Sequence, residues 1–125
     1  MAKVTIGDLI AKPVLPLGEQ DLTLIKATHD KTNGRIAMLF GSKEYDGLAS
    51  ESCMPTELNW VLPIWLSKMP VVTIDTSLEF DDEFSMREHI AEAINACKGE
   101  IFSVIVEEAD VEPLDGKQLF NARLA

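Results

Sequence analysis

Ser85-Met86-Arg87-Glu88-His89-Ile90-Ala91-Glu92-Ala93-Ile94-Asn95-Ala96-Cys97-Lys98-Gly99, followed after Glu100 by the apolar residues 101–106, is the stretch on which the fold reading turns. Ser85 and Glu88 have the S-x-x-E spacing of a capping box, in which each side chain satisfies the other's free backbone N–H. Met86, Ile90, Ala93, Ile94 and Cys97 recur at helical spacing and predict a buried stripe. Arg87, Glu88, Glu92 and Asn95 fall on the other side and are expected to face away. Lys98 suits the negative end of the helix dipole, and Gly99 suits a left-handed cap. The pattern predicts a helix over 85–98.

Residues 101–106 are apolar except for Ser103, which predicts a strand covered on both faces. Residues 71–74, rich in β-branched side chains, predict another strand that ends at Asp75. Strand, helix and strand would make a right-handed βαβ unit over residues 71–106, although antiparallel pairing of the second strand elsewhere fits the same pattern. The expected fold is α+β: one two-layer domain over residues 1–125, with about five strands and two or three helices.

Further upstream, residues 3–6 read as a first strand and residues 12–18 as an irregular segment held extended by Pro13 and Pro16. In residues 21–28, Leu22, Leu24 and Lys26 alternate with Thr23, Ile25 and Ala27. Asn33-Gly34 separates that segment from the apolar residues 36–40, and both turn residues tolerate positive φ, so an antiparallel hairpin is expected. Residues 41–53 read as a polar loop. Pro55 can open a helix, in which Leu58, Val61, Leu62 and Trp65 share a face. Pro63 would kink or shorten it. Trp60 and Ile64 fall off that face, so the segment is either deeply buried or shows a second face to a partner. Residues 117–124 read as a short terminal helix or a tail.

Charge is the strongest functional signal. Residues 75–115 carry thirteen Asp and Glu against only Arg87 and Lys98, and this third of the chain accounts for nearly all of the net charge of −10. Such a chain lacks the positive charge that direct nucleic-acid binding needs. It would be repelled by anionic membrane surfaces and would attract basic proteins or divalent cations. No apolar core follows Met1, so no signal peptide is expected, and the apolar residues 60–66 are too short to span a membrane. Cys53 and Cys97 are too few for a disulfide scaffold and read as free thiols in a reducing, cytoplasmic setting.

Four constellations can carry chemistry. Asp75, Glu107, Glu108 and Asp110 would gather at strand ends if the βαβ unit forms, where they could hold Mg²⁺ or Mn²⁺ for a phosphoryl reaction; no phosphate loop accompanies them. Glu88, His89 and Glu92 carry a single H-x-x-E, half of a di-metal pattern and in reversed order. The favoured reading is plain helix surface, with His89 on the helix shoulder near Phe84. Cys53 with His29 could pair as nucleophile and base, but no spacing requires it. Lastly, Asp81, Asp82 and Glu83 before the helix and Glu107, Glu108, Asp110 and Glu112 after the strand would form an acidic surface if they converge, with Trp60 or Tyr45 as apolar anchor. The expected function is a non-enzymatic acidic protein that engages a basic protein surface, as an inhibitor, an immunity protein, a mimic of nucleic-acid charge or an assembly factor. The alternatives are a small Mg²⁺/Mn²⁺ enzyme built on the strand-end carboxylates, and a homo-oligomer joined through residues 58–66. No resident cofactor is expected beyond that possible divalent cation.

Overall fold

The computed structural model describes Ile6, residues 12–113 and residues 116–125. The strand read over residues 3–6 lies outside the described residues, apart from Ile6. Five strands form a closed barrel: β1 (Gly18–His29), β2 (Ile36–Gly41), β3 (Leu48–Cys53), β4 (Ile101–Glu107) and β5 (Leu119–Leu124). Two helices, α1 (Leu58–Lys68) and α2 (Glu83–Asn95), are inserted between β3 and β4. Around the barrel the order is β1-β2-β3-β5-β4. All pairs are antiparallel except β3 with β5. This is a five-stranded Greek-key barrel, an architecture that OB-folds share; architecture alone assigns no activity.

β1 is long because it serves two neighbours. Its first half pairs with β4 from Gly18↔Val106 to Thr23↔Ile101, and its second half pairs with β2 from Thr23↔Gly41 to His29↔Ile36. The register shifts between Leu24 and Lys26. The extra residue, Ile25, bends the strand and flips the phase of its alternation. Leu22 and Leu24 point inward before the shift and Ala27 after it, while Ile25 and Lys26 are both exposed. The even alternation expected across residues 21–28 is therefore broken at the point where the sheet curls closed.

The Asn33-Gly34 hairpin forms as expected. Asn33 accepts from the Arg35 N–H at 2.9 Å, Gly34 N–H donates to the Asp30 carbonyl at 2.7 Å, and Gly34 has φ of 77°. Pro55 opens a 3-10 turn (Pro55–Glu57) that leads into α1. Pro63 lies inside α1 without ending it. The carbonyl that loses its donor there belongs to Asn59, which is exposed to water in the first turn.

Several expectations are corrected. Residues 71–74 form no strand, so no βαβ unit exists; Val72 instead buries its side chain in the turn after α1. With β4 antiparallel to both neighbours, the two-layer arrangement gives way to a closed barrel with helices at one end. The second half of the expected 41–53 loop is β3, and residues 119–124 form β5 rather than a helix or tail. β4 is buried on one face only: Phe102, Val104 and Val106 point inward, while Ile101 is exposed. The cap of α2 is Asp82, whose carboxylate accepts from the Ser85 N–H at 2.7 Å, so Ser85 is not the cap. Glu88, freed from that role, meets His29.

The outward face expected of α2 is also partly buried. Asn95 Oδ1 accepts from the Ala27 N–H at 2.9 Å. Ala27 lies past the last β1–β4 pair, Thr23↔Ile101, so the helix end supplies a partner where β4 no longer runs beside β1. Arg87 packs against Gly34, where an added Cβ would sit 2.7 Å from Pro55 Cγ and 3.1 Å from Arg87 Nε. Gly34→Ala combines that clash with a positive φ. It should lower unfolding free energy by at least about 1–2 kcal/mol, read as a lower urea midpoint with an unchanged slope.

Candidate functional site

The two ends of the barrel are finished differently. At the end where β1 and β3 finish and β2 begins, the helices close the barrel. Trp65 of α1 is 1% exposed and joins Leu124, Cys53 and Ile94 in the core. At the opposite end Leu15 is the plug. Its N–H donates to the Asp46 carbonyl at 2.9 Å, and Asp46 N–H donates back to Pro13.

β3 and β5 pair over only three residues, from Leu48↔Leu119 to Ser50↔Asn121. Beyond Ser50 the two strands separate, and side chains fill the seam. Glu51 Oε2 accepts from the Leu124 N–H at 3.2 Å, and Lys68 Nζ donates to the Leu124 carbonyl at 2.9 Å. The Trp65 N–H approaches Glu51 closely enough to favour its carboxylate, yet it stays outside hydrogen-bond geometry and is sealed from water. Burial raises the Glu51 pKa; Trp65, the Leu124 N–H, Lys68 and Arg123 oppose the rise without cancelling it.

A groove of about 350 Å³ runs outward from this seam, lined by Glu51, Glu57, Trp60, Ile64, Lys68 and Arg123 among others. Trp60 is 57% exposed and Ile64 44% exposed. They lie four apart on α1 and so stand side by side on its outer face. A second groove of about 410 Å³ lies across α1, between it and α2, with Leu58, Leu62, Met86 and Ile90 as its apolar lining and Arg87 and Glu83 at its edge. Segment 58–66 is divided: Leu58 and Trp65 enter the core, and Trp60 and Ile64 are exposed.

The acidic runs do not converge. Asp81, Asp82 and Glu83 start α2, whose first turns lie against the end of β1: His29 Nδ1 is 3.1 Å from Glu88 Oε1, and the His29 and Phe84 rings are 4.9 Å apart. Glu107 ends β4 beside Asn121, next to the start of β1. The twelve residues of β1 separate the two runs, a path along the strand of roughly 40 Å at ~3.3 Å per residue. Within the first run, Glu83 pairs with Arg87 at 3.5 Å, and the Ser85 N–H holds the Asp82 carboxyl below the usual range. Within the second, Glu107 pairs with Arg123 at 3.1 Å, the Glu108 carbonyl accepts from Asn121 at 3.5 Å, and Asp110 and Glu112 are both exposed. Tyr45 packs half-buried against the core at the plugged end, away from Trp60.

Asp75 is not at a strand end. It sits in the α1–α2 connection, where Ser77 donates to it through N–H at 2.9 Å and Oγ at 2.6 Å and lowers its pKa. Among the described residues no three His, Cys, Asp or Glu side chains gather in a way that could hold a metal ion. His89 packs on Phe80 at 5.2 Å rather than on Phe84. Cys53 and Cys97 are free thiols. Burial, with Glu57 and Glu51 nearby, pushes the Cys53 thiol up to about 11, so it is protonated at neutral pH. His29 is engaged by Glu88 and Phe84. Among the described residues, no helix is long and apolar enough to cross a membrane. No family model matches the chain, and no curated protein sequence matches it.

Sequence reasoning missed Glu51, Lys68 and Arg123. The usable signal was the period of two in Ala49, Glu51 and Cys53 against Ser50 and Ser52, which marks a strand. Because burial raises the Glu51 pKa in the folded state, its ionised form costs stability as pH rises through that pKa. Glu51→Gln should therefore have a higher melting temperature than wild type at pH 7. The gap should close as pH falls below the ordinary glutamate range, as followed by thermal unfolding.

Proposed function

We propose that this chain is a non-enzymatic binding protein whose outer α1 face engages a basic, partly apolar protein surface. The observation that carries the reading is the exposed Trp60–Ile64 pair above Glu51 and Glu57. Large aromatics that sit beside a groove and are rimmed by charge supply most of the energy in protein interfaces. A tryptophan left 57% exposed has no packing role that accounts for it. The Asp81–Glu83 run lies at the same helical end of the barrel and adds long-range attraction for a basic partner. The Glu107–Glu112 run lies at the other end, so the reading needs only one of the two acidic runs. A metal-dependent enzyme has no comparable support, since Asp75 and Glu107 belong to separate parts of the fold.

The test is affinity capture from cell extract with immobilised protein, identifying a retained species by its basic composition. Trp60→Ala and the triple reversal of Asp81, Asp82 and Glu83 to Lys should each weaken that capture by about tenfold or more, the scale of an interface anchor. Reversal of Glu107 and Glu108 should leave it within about twofold, as a distant, screened charge does. Trp60→Ala and the Glu107, Glu108 reversal should keep the wild-type melting profile; the triple reversal removes the Asp82 cap of α2, so it should melt lower and is compared at a temperature where it is fully folded. Equal loss in both reversals would reduce the effect to net charge. A wild-type mass that is a multiple of 13.8 kDa, and that Trp60→Lys reduces to one chain, would assign the α1 face to a second copy instead.

A further inference from the structure

A cavity of about 280 Å³ opens on the flank of the barrel near the Leu15 plug, and its lining runs against the charge of the whole molecule. Lys12, Lys43 and Lys117 converge on it from three separate segments: the stretch before β1, the β2–β3 connection and the approach to β5. No carboxylate is among its described lining residues, in a chain with a net charge of −10. The floor is apolar and is built by the barrel's own irregularity. The bulge turns Ile25 outward, and Ile25 lies over Gly41, where an added Cβ would come within 2.8 Å of Ile25 Cδ1. Leu48 continues the floor, and Thr23 and Ser42 stand at its edge.

We propose that this cavity binds a small organic phosphate, with the phosphate among the three ammonium groups and an apolar or aromatic body over Ile25 and Leu48. Ammonium groups are strong point-charge partners for phosphate. Three of them on one cavity match a dianion, where a lone carboxylate would need one. A concave apolar floor with a few convergent polar groups is the usual form of a small-molecule site. The ligand is small for an electrostatic reason. Glu107 and Glu108 lie at this same end of the barrel, so an anionic strand that ran out of the cavity toward them would be repelled. The site is separate from the α1 face and does not depend on it.

The test is a titration of isotope-labelled full chain by NMR at fixed ionic strength, with inorganic phosphate, adenosine, adenosine monophosphate and an eight-residue oligothymidylate as probes. The proposal expects saturable shifts at the Thr23, Gly41 and Gly47 amides with the monophosphate, at a dissociation constant of about 1 mM or below. Inorganic phosphate should bind the same amides more weakly, and adenosine should not saturate. Each of Lys12→Gln, Lys43→Gln and Lys117→Gln should weaken the monophosphate by about two- to fivefold, the range of exposed ion pairs, and the triple variant should abolish it with the spectrum otherwise intact. Three results would overturn the proposal: no saturation by either phosphate up to about 10 mM, equal binding by the triple variant, or an oligothymidylate that binds about tenfold tighter than the monophosphate.

Discussion

The structure depends on closing a sheet with too little backbone. β3 and β5 share three paired residues and then part, which would leave the facing edges of the two strands without partners, although β5 stays paired with β4 on its other side. Buried polar backbone without partners is costly. Glu51 and Lys68 take the N–H and carbonyl of Leu124, one from each side, and Trp65 closes the core beneath them. Two of those three side chains come from α1, so the helix completes the barrel as well as covering it. The cost is a partly buried carboxylate whose charge is disfavoured. This also explains why α1 persists through Pro63: its Leu58 and Trp65 side is held by the core, and that burial outweighs one lost hydrogen bond.

The same requirement places the exposed features. Because α1 must present Trp65 and Lys68 to the seam, the helical period of 3.6 residues turns Trp60 and Ile64 outward. On β1, the bulge that lets one strand pair with β4 and then β2 puts Ile25 outside over Gly41. The helix thus carries an apolar, acid-rimmed face, and the strand carries an apolar floor ringed by lysines. The barrel keeps these at different places, so a strongly acidic chain holds a cavity whose charged residues, among those described, are lysines.

Local chemistry made some elements legible. Asn33-Gly34 has few alternatives to a tight turn, and the stripe of Met86, Ile90 and Ile94 specifies a helix whatever it packs on. Residues 101–106 are a strand in any arrangement. The period of residues 21–28 was misread because one bulge residue shifts it, and β3 was taken for loop because Ser50, Glu51 and Ser52 hide its alternation. Residues 71–74 have strand composition, yet no edge of a closed barrel is open to receive them. The capping role fell to Asp82 instead of Ser85 because both sequences satisfy the same local rule, and Glu88 was drawn away to His29.

By itself the sequence determined the mixture of helix and strand, the hairpin and the concentration of negative charge, because each of these follows from neighbours within a few positions. Only the tertiary structure decided strand order, closure and which charges share a surface. Those depend on pairings across the chain, such as Gly18 with Val106 and Leu48 with Leu119, for which local periodicity carries no signal. The two acidic runs look like one feature in sequence. They are separated in space because β1 lies between them, and the three lysines, far apart in sequence, meet because its bulge and the loops at the plugged end bring them to one cavity.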